Sequence, residues 1–204
     1  MQEKTNSAKI EALLAQNGGY ITHRQTEKNK IPSWFLTDFV RKNKLIKIDK
    51  GFFASEGWIQ DDYFVFQYKY PKYIYSYESA LYLLNLTDNL PAILEVTGPK
   101  NYRPFSPKIS SVITHTDSRT EIFNLGITEI KTNLGNLVRT YNPEKTICDI
   151  IKRPDSVDSE NFIKAIRNYS KRRDKDTGLL IEYSKKMGIY KKLSEIMMVL
   201  LNEN

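Results

Sequence analysis

Reactive side chains are scarce in this chain. Its 204 residues include one cysteine, Cys148, and two histidines, His23 and His115. A lone thiol closes no intramolecular disulfide and builds no multi-cysteine zinc site. Cys148 lies in Ile147-Cys148-Asp149-Ile150 without a basic activator beside it, so a buried structural thiol is expected there rather than a nucleophile. The histidines lack a neighbouring Cys or second His and read as polar surface or capping residues, not metal ligands. Long apolar runs are missing too: Met197 to Leu201 is five residues, where a membrane span needs about 20. The first twenty residues contain no apolar signal-peptide core, so the cytosol is the expected compartment and no membrane partner is expected. The Asn-x-Thr/Ser triplets at Asn85 and Asn168 then carry no meaning. Phosphate-loop, dinucleotide, zincin and nucleophile-elbow motifs are all absent. The chain is therefore read as a non-enzyme, with no catalytic residues, metal or cofactor.

What the chain does have is apolar and aromatic mass. Hydrophobic residues make up 40% and charged residues 27%, with 13 Tyr and 9 Phe, too apolar for a disordered chain. The length suits one large domain or two small ones, and two are favoured. Lys+Arg number 31 against 24 Asp+Glu, a formal +7, which favours a polyanionic partner. The excess is densest in residues 1 to 57, with ten basic and six acidic side chains. Lysine outnumbers arginine 22 to 9, a bias that an AT-rich genome also produces, so position weighs more than the total.

Helical spacing of Ala8, Ile10, Leu13 and Leu14 predicts a first helix over Ser7 to Asn17, stopped by Gly18-Gly19. Tyr20-Ile21 reads as a short apolar link. Thr22 is expected to cap a second helix to Lys28, and Ser33 a third to about Asn43. Leu45 to Ile48, a turn at Asp49-Lys50-Gly51, and Phe52 to Ala54 predict a β-hairpin. Three short helices and a hairpin make a winged helix-turn-helix. A second domain is placed over residues 58 to 204, giving an α+β protein whose mixed C-terminal domain ends in helices. Within it, Tyr63 to Tyr70 reads as an aromatic strand, Tyr77 to Leu86 as a helix, and Ile93 to Thr97 and Ile109 to Thr116 as strands. Gly98 to Pro107 reads as a Pro-rich loop, and Glu121 to Val138 as short strands with turns. Glu144 to Ile151 behind Pro143, then 159 to 173, 178 to 187 and 189 to 202, read as helices.

In the third helix Phe35, Leu36, Phe39 and Val40 share one face, which leaves Trp34, Thr37, Asp38 and Arg41 on the other. Arginine can grip guanine O6 and N7, and threonine can reach a base edge or a phosphate. Arg24, Lys30, Ser33, Trp34, Thr37, Arg41, Lys42, Lys44, Lys47 and Lys50 are thus the candidate DNA-binding residues. Asp38 either accepts from a cytosine amino group or pairs with Arg41 or Lys42. The competing reading is a solvated amphipathic helix, with Trp34 packed on the second helix. Asp61-Asp62 reads as a solvated pair. The Tyr63 to Tyr70 run with Lys69 and Lys72 is a core strand more than a single-strand stacking platform. Lys171-Arg172-Arg173 with Lys175 is a second basic cluster beside a helix end, where cations also complement the dipole.

The segments Gly19-Tyr20-Ile21-Thr22 and Lys50-Gly51-Phe52-Phe53 resemble the winged helix of the AbiEi antitoxin family. Tyr77-Glu78-Ser79-Ala80-Leu81 through Leu86-Thr87-Asp88, and later Pro143-Glu144-Lys145-Thr146-Ile147-Cys148-Asp149, are similar to that family's S-x-x-A-L-x-x-x-x-L-T and E-[RK]-T-x-x-D patterns. The resemblance spans nearly the whole chain. It implies an antitoxin of a type IV toxin-antitoxin system, active in abortive phage infection. The winged helix would bind inverted repeats in double-stranded operator DNA and repress its own operon. The C-terminal domain would counteract a nucleotidyltransferase toxin without a stable complex. Two rival readings stay open: an enzyme on RNA or nucleotides that reverses the toxin's modification, and a plain transcription regulator with a ligand-sensing domain.

Overall fold

A computed structural model describes residues 2–102, 112–117 and 119–202. The chain is mixed α+β and divides into two compact units, one ending at Val65 and the other starting at Phe66. The division falls eight residues beyond the boundary expected at 57.

The first unit opens with helix α1, Gln2–Gln16. Its end is wrapped by backbone bonds from Gly19 N to Leu14 O (2.7 Å) and Gly18 N to Ala15 O (3.3 Å), with Gly18 at a positive φ of 67°. Tyr20–Thr22, expected as a link, is strand β1. Thr22 caps helix α2, His23–Lys28, in a capping box: its Oγ1 accepts from Gln25 N while Gln25 Oε1 accepts from Thr22 N. Helix α3 is Ser33–Lys42. Ser33 is its first residue rather than its cap; Pro32 takes that position and offers no side-chain bond. Strands β2, Ile46–Asp49, and β3, Phe52–Ala54, form the hairpin, and β1 pairs antiparallel with β3 to give the order β1-β3-β2. The core joins Ile10 of α1, Ile21 of β1, Ile31, and Phe35, Leu36 and Phe39 of α3. A second aromatic group gathers Tyr20, Phe52, Trp58 and Phe64, with ring centroids 5.1 to 5.9 Å apart.

Tyr63 to Tyr70 is no strand. Asp62–Lys69 is helix α4. Asp61, expected in solvent, is buried, and its carboxylate accepts from Phe64 N at 3.1 Å over the first turn. In the second unit, β4 (Ile74–Tyr75), α5 (Tyr77–Leu83), β5 (Leu94–Gly98) and β6 (Val112–Thr116) follow. Residues 103–111, covering part of the expected Pro-rich loop and the start of the expected strand, lie outside the described residues. Next come a short helix α6 (Thr120–Phe123), β7 (Ile127–Lys131) and β8 (Leu137–Tyr141). The strands assemble in the order β6-β5-β4-β8-β7, with β5·β6 and β4·β8 parallel and the other pairs antiparallel.

Helix α7, Pro143–Lys152, starts with Pro at its first turn and Asn142 as cap, whose Oδ1 accepts from Lys145 N at 3.0 Å. It is buried from Glu144 to Ile151. A 3-10 turn at Pro154–Ser156 leads to α8 (Ser159–Lys171), α9 (Thr177–Lys186) and α10 (Tyr190–Asn202). The core gathers Leu81, Leu86, Ile147, Ile150, Ile166 and Leu180. Glu144 ties three helices together, since its Oε1 accepts from Tyr169 Oη (3.2 Å) and Asp176 N (3.0 Å).

Candidate nucleic-acid interface and the cleft of the second unit

All ten residues named for DNA contact are exposed. On α3, Phe35, Leu36 and Phe39 are buried while Trp34 is 62% exposed, its ring edge-on to Phe35 at 5.6 Å rather than packed on α2. Thr37 Oγ1 donates to Ser33 O at 3.0 Å. Asp38 pairs with both neighbours: Arg41 Nη2 lies 2.8 Å from Oδ1 and Lys42 Nζ 2.7 Å from Oδ2. The Lys42 bond first, then the Arg41 bond, hold the Asp38 carboxyl below its ordinary range. Lys30 and Lys44 sit just beyond α2 and α3 at φ 55° and 52°, the left-handed conformation in which a chain leaves a helix. Lys47 lies on β2 and Lys50 in the hairpin turn. That turn is fixed against α2, because His23 N donates to Gly51 O at 2.8 Å. Gly51 has φ +70°, and a Cβ there would meet the His23 ring at 2.6 Å, so the position takes only glycine without a shift. His23 thereby has a packing role beside the turn.

The second basic cluster is partly structural. Arg172 donates to Leu84 O (2.9 Å) and pairs with Asp174 (2.7 Å), and Lys175 bonds to Ser170 O.

The second unit contains a narrow polar cleft of about 20 Å³, lined by Tyr77, Thr97, His115, Thr116, Asp117, Tyr141, Lys145, Asp149, Lys152 and Arg153. Pairing of Thr97 with His115, Ile74 with Thr97 and Tyr75 with Thr140 sets Glu95, Thr97, His115 and Tyr141 on one face of the sheet. His115 was expected on the surface. Its side chain is instead only 15% exposed, with Nε2 3.1 Å from Glu95 Oε1 and its ring 4.2 Å from that of Tyr77. The other Glu95 oxygen accepts from Glu78 N at 2.9 Å. A carboxylate only accepts, so Nε2 carries a proton.

Beneath lies a buried ion pair. Lys145 Nζ donates to both Asp149 oxygens at 2.7 and 2.8 Å, with side-chain exposures of 4% and 9%, and sits 4.3 Å over the Tyr141 ring. Burial pushes the Asp149 carboxyl up against the opposing pull of Lys145. Tyr77 holds φ at +48°, a conformation costing of order 1–3 kcal/mol for a bulky residue. Burial first, and the Asp149 charge next, raise its hydroxyl pKa, while the Arg153 guanidinium lies beside it and pulls the other way. Cys148, one residue before Asp149, is fully buried, and burial pushes its thiol up to about 12. Ser79 accepts from Glu95 N at 2.8 Å, and Thr87 donates to Asn161 Oδ1 at 2.8 Å.

Sequence reasoning missed this cleft. Its residues come from α5, β5, β6, β8 and α7, and no short motif joins them.

No family model matches the chain, and no curated protein matches it. Among solved structures it is similar to that of the Rv2827c protein from Mycobacterium tuberculosis, with 14% identity and a TM-score of 0.46, over 92% of this chain and 81% of that one. Among the described residues no helix is long and apolar enough to cross a membrane.

Proposed function

We propose that the first unit is a winged helix-turn-helix, with α3 as recognition helix and the β2–β3 hairpin as wing, and that the chain is a DNA-binding autorepressor and antitoxin of the AbiEi type. The observation that carries this reading is the one-sidedness of α3. Its apolar face is buried, while Trp34, Thr37 and Arg41 stand exposed beside Lys44, Lys47 and Lys50. An exposed polar helix face flanked by cations is the footprint of major-groove contact with phosphates on either side.

The antitoxin part rests on the resemblance of the second unit's motifs to the AbiEi family. That unit would counteract a nucleotidyltransferase toxin without a stable complex, in the cytosol where the operator lies. Footprinting on the DNA upstream of its own operon tests the reading. Protection confined to inverted repeats, next to a reading frame for a nucleotidyltransferase, is expected. Featureless protection or none would overturn it.

A further inference from the structure

DNA contact through the first unit leaves the cleft of the second without a role, and packing does not account for it. Cores rarely hold a lysine and an aspartate this deeply, because both charges lose their hydration. They also rarely hold a tyrosine in the left-handed region, which persists only where the surroundings force it. Here both line the same cleft as His115, whose Nε2 is anchored on Glu95. Lys145 and Asp149 satisfy each other. That leaves two cations, Lys152 and Arg153, beside Asp117 at the opening, with Glu95 behind His115.

We propose that this cleft binds a phosphate group. Arg153 supplies a planar fork that can take two phosphate oxygens, and Lys152, the preceding residue, supplies a point charge. The Tyr77 hydroxyl, beside Arg153, can donate to a further oxygen. Donors approaching from the start of α5 and the end of α7 suit a tetrahedral anion, whereas a carboxylate presents two oxygens in one plane. The Lys145–Asp149 pair is the rigid floor. The cleft itself has only about 20 Å³, room for about one water, so the phosphate sits at its mouth and the rest of its carrier stays outside, over Thr116 and Asp117. A free phosphate and a phosphomonoester such as a nucleotide share this chemistry.

The test uses the full chain, because its two histidines are separate NMR reporters. Inorganic phosphate and a 5′-mononucleotide are titrated at constant ionic strength, set with chloride. Saturable movement of the His115 ring signals, with His23 in the first unit as reference, is expected. Arg153→Ala should weaken binding roughly tenfold without lowering the thermal midpoint, since its side chain is exposed. Asp117→Asn should tighten it. A tighter mononucleotide identifies a nucleotide site, and equal affinities identify a site for the phosphate alone. His115 signals unmoved by either probe, or moved equally by chloride, overturn the proposal, as does full binding by Arg153→Ala.

Discussion

Arg41 and Asp38 stand one turn apart on the exposed face of α3, joined by a 2.8 Å charge-assisted hydrogen bond, and Asp38 holds Lys42 with its other oxygen. Arg41 is thus oriented by its own helix, and the proposed DNA contact has to share or displace Asp38. Asp38→Asn should raise affinity for every duplex roughly several-fold at low salt, because a carboxylate near phosphate is removed. Arg41→Ala should cost about 1–3 kcal/mol of operator binding specifically, and Lys50→Ala should weaken all duplexes alike. Gel-shift series on operator and random DNA separate these outcomes. An unchanged operator-to-random ratio in Arg41→Ala would remove its base-reading role.

Salt should report the same surface. If about four to six of Arg24, Lys30, Arg41, Lys42, Lys44, Lys47 and Lys50 meet phosphates, log K falls against log salt with a slope of roughly −4 to −5. A flat dependence contradicts the cationic footprint.

The division at Val65 makes a prediction about fragments. Trp58 and Phe64 pack on Tyr20 and Phe52, so a fragment ending at 57 lacks two rings of its own core. Circular dichroism melts should show a cooperative transition for 1–70 and none for 1–57, with operator binding retained only by the longer piece. A sharp melt of 1–57 would show that those rings are dispensable.

Breaking the buried pair in the second unit should be costly. Lys145→Met leaves Asp149 buried without its partner and is expected to lose about 3–5 kcal/mol, whereas Lys145→Met with Asp149→Leu should recover most of it. Urea unfolding measures both. Equal losses in the single and double variants would show that the two charges do not act on each other.

Cys148 should be inert in the native chain. Its thiol is held up to about 12 against an ordinary 9.0, so the folded state binds the proton more tightly than the unfolded one. The resulting stability is fully present below pH about 9 and is lost as pH rises from there through about 12. A disulfide reagent at pH 8 should label the chain at the rate of unfolding. Fast labelling of folded protein would place the thiol nearer solvent.

Periodicity revealed the helices that have one wet and one dry face. Phe35, Leu36 and Phe39 of α3 and the Thr22 cap of α2 follow from spacing and chemistry alone. Helix α4 did not, because its rings are used on more than one side: Phe64 packs on Tyr20 and Phe52, and Phe66 on Tyr73 and Tyr75. A helix apolar around its circumference has no 3.6-residue stripe and looks like a strand buried on both faces. β1 and β4, at three and two residues, are too short to show alternation and exist only through their partners. The ten residues expected at DNA lie within 27 positions, Arg24 to Lys50, and all of them are exposed. His115 was not legible, since Glu95 and Tyr77, which define its setting, are brought to it by sheet register and by the start of α5.

The five-stranded sheet has its shortest strand at its centre. β4 alone joins the β5·β6 pair to the β7·β8 hairpin, and its link to β8 rests on Tyr75 opposite Thr140, reinforced by Thr140 Oγ1 donating to Tyr75 O at 3.2 Å across 65 positions. The hairpin β7·β8 can zip locally, but the two halves meet only after that long loop closes. The kinetics of the second unit are therefore governed by one distant encounter, and until it occurs both halves carry an open strand edge on which a second chain can pair.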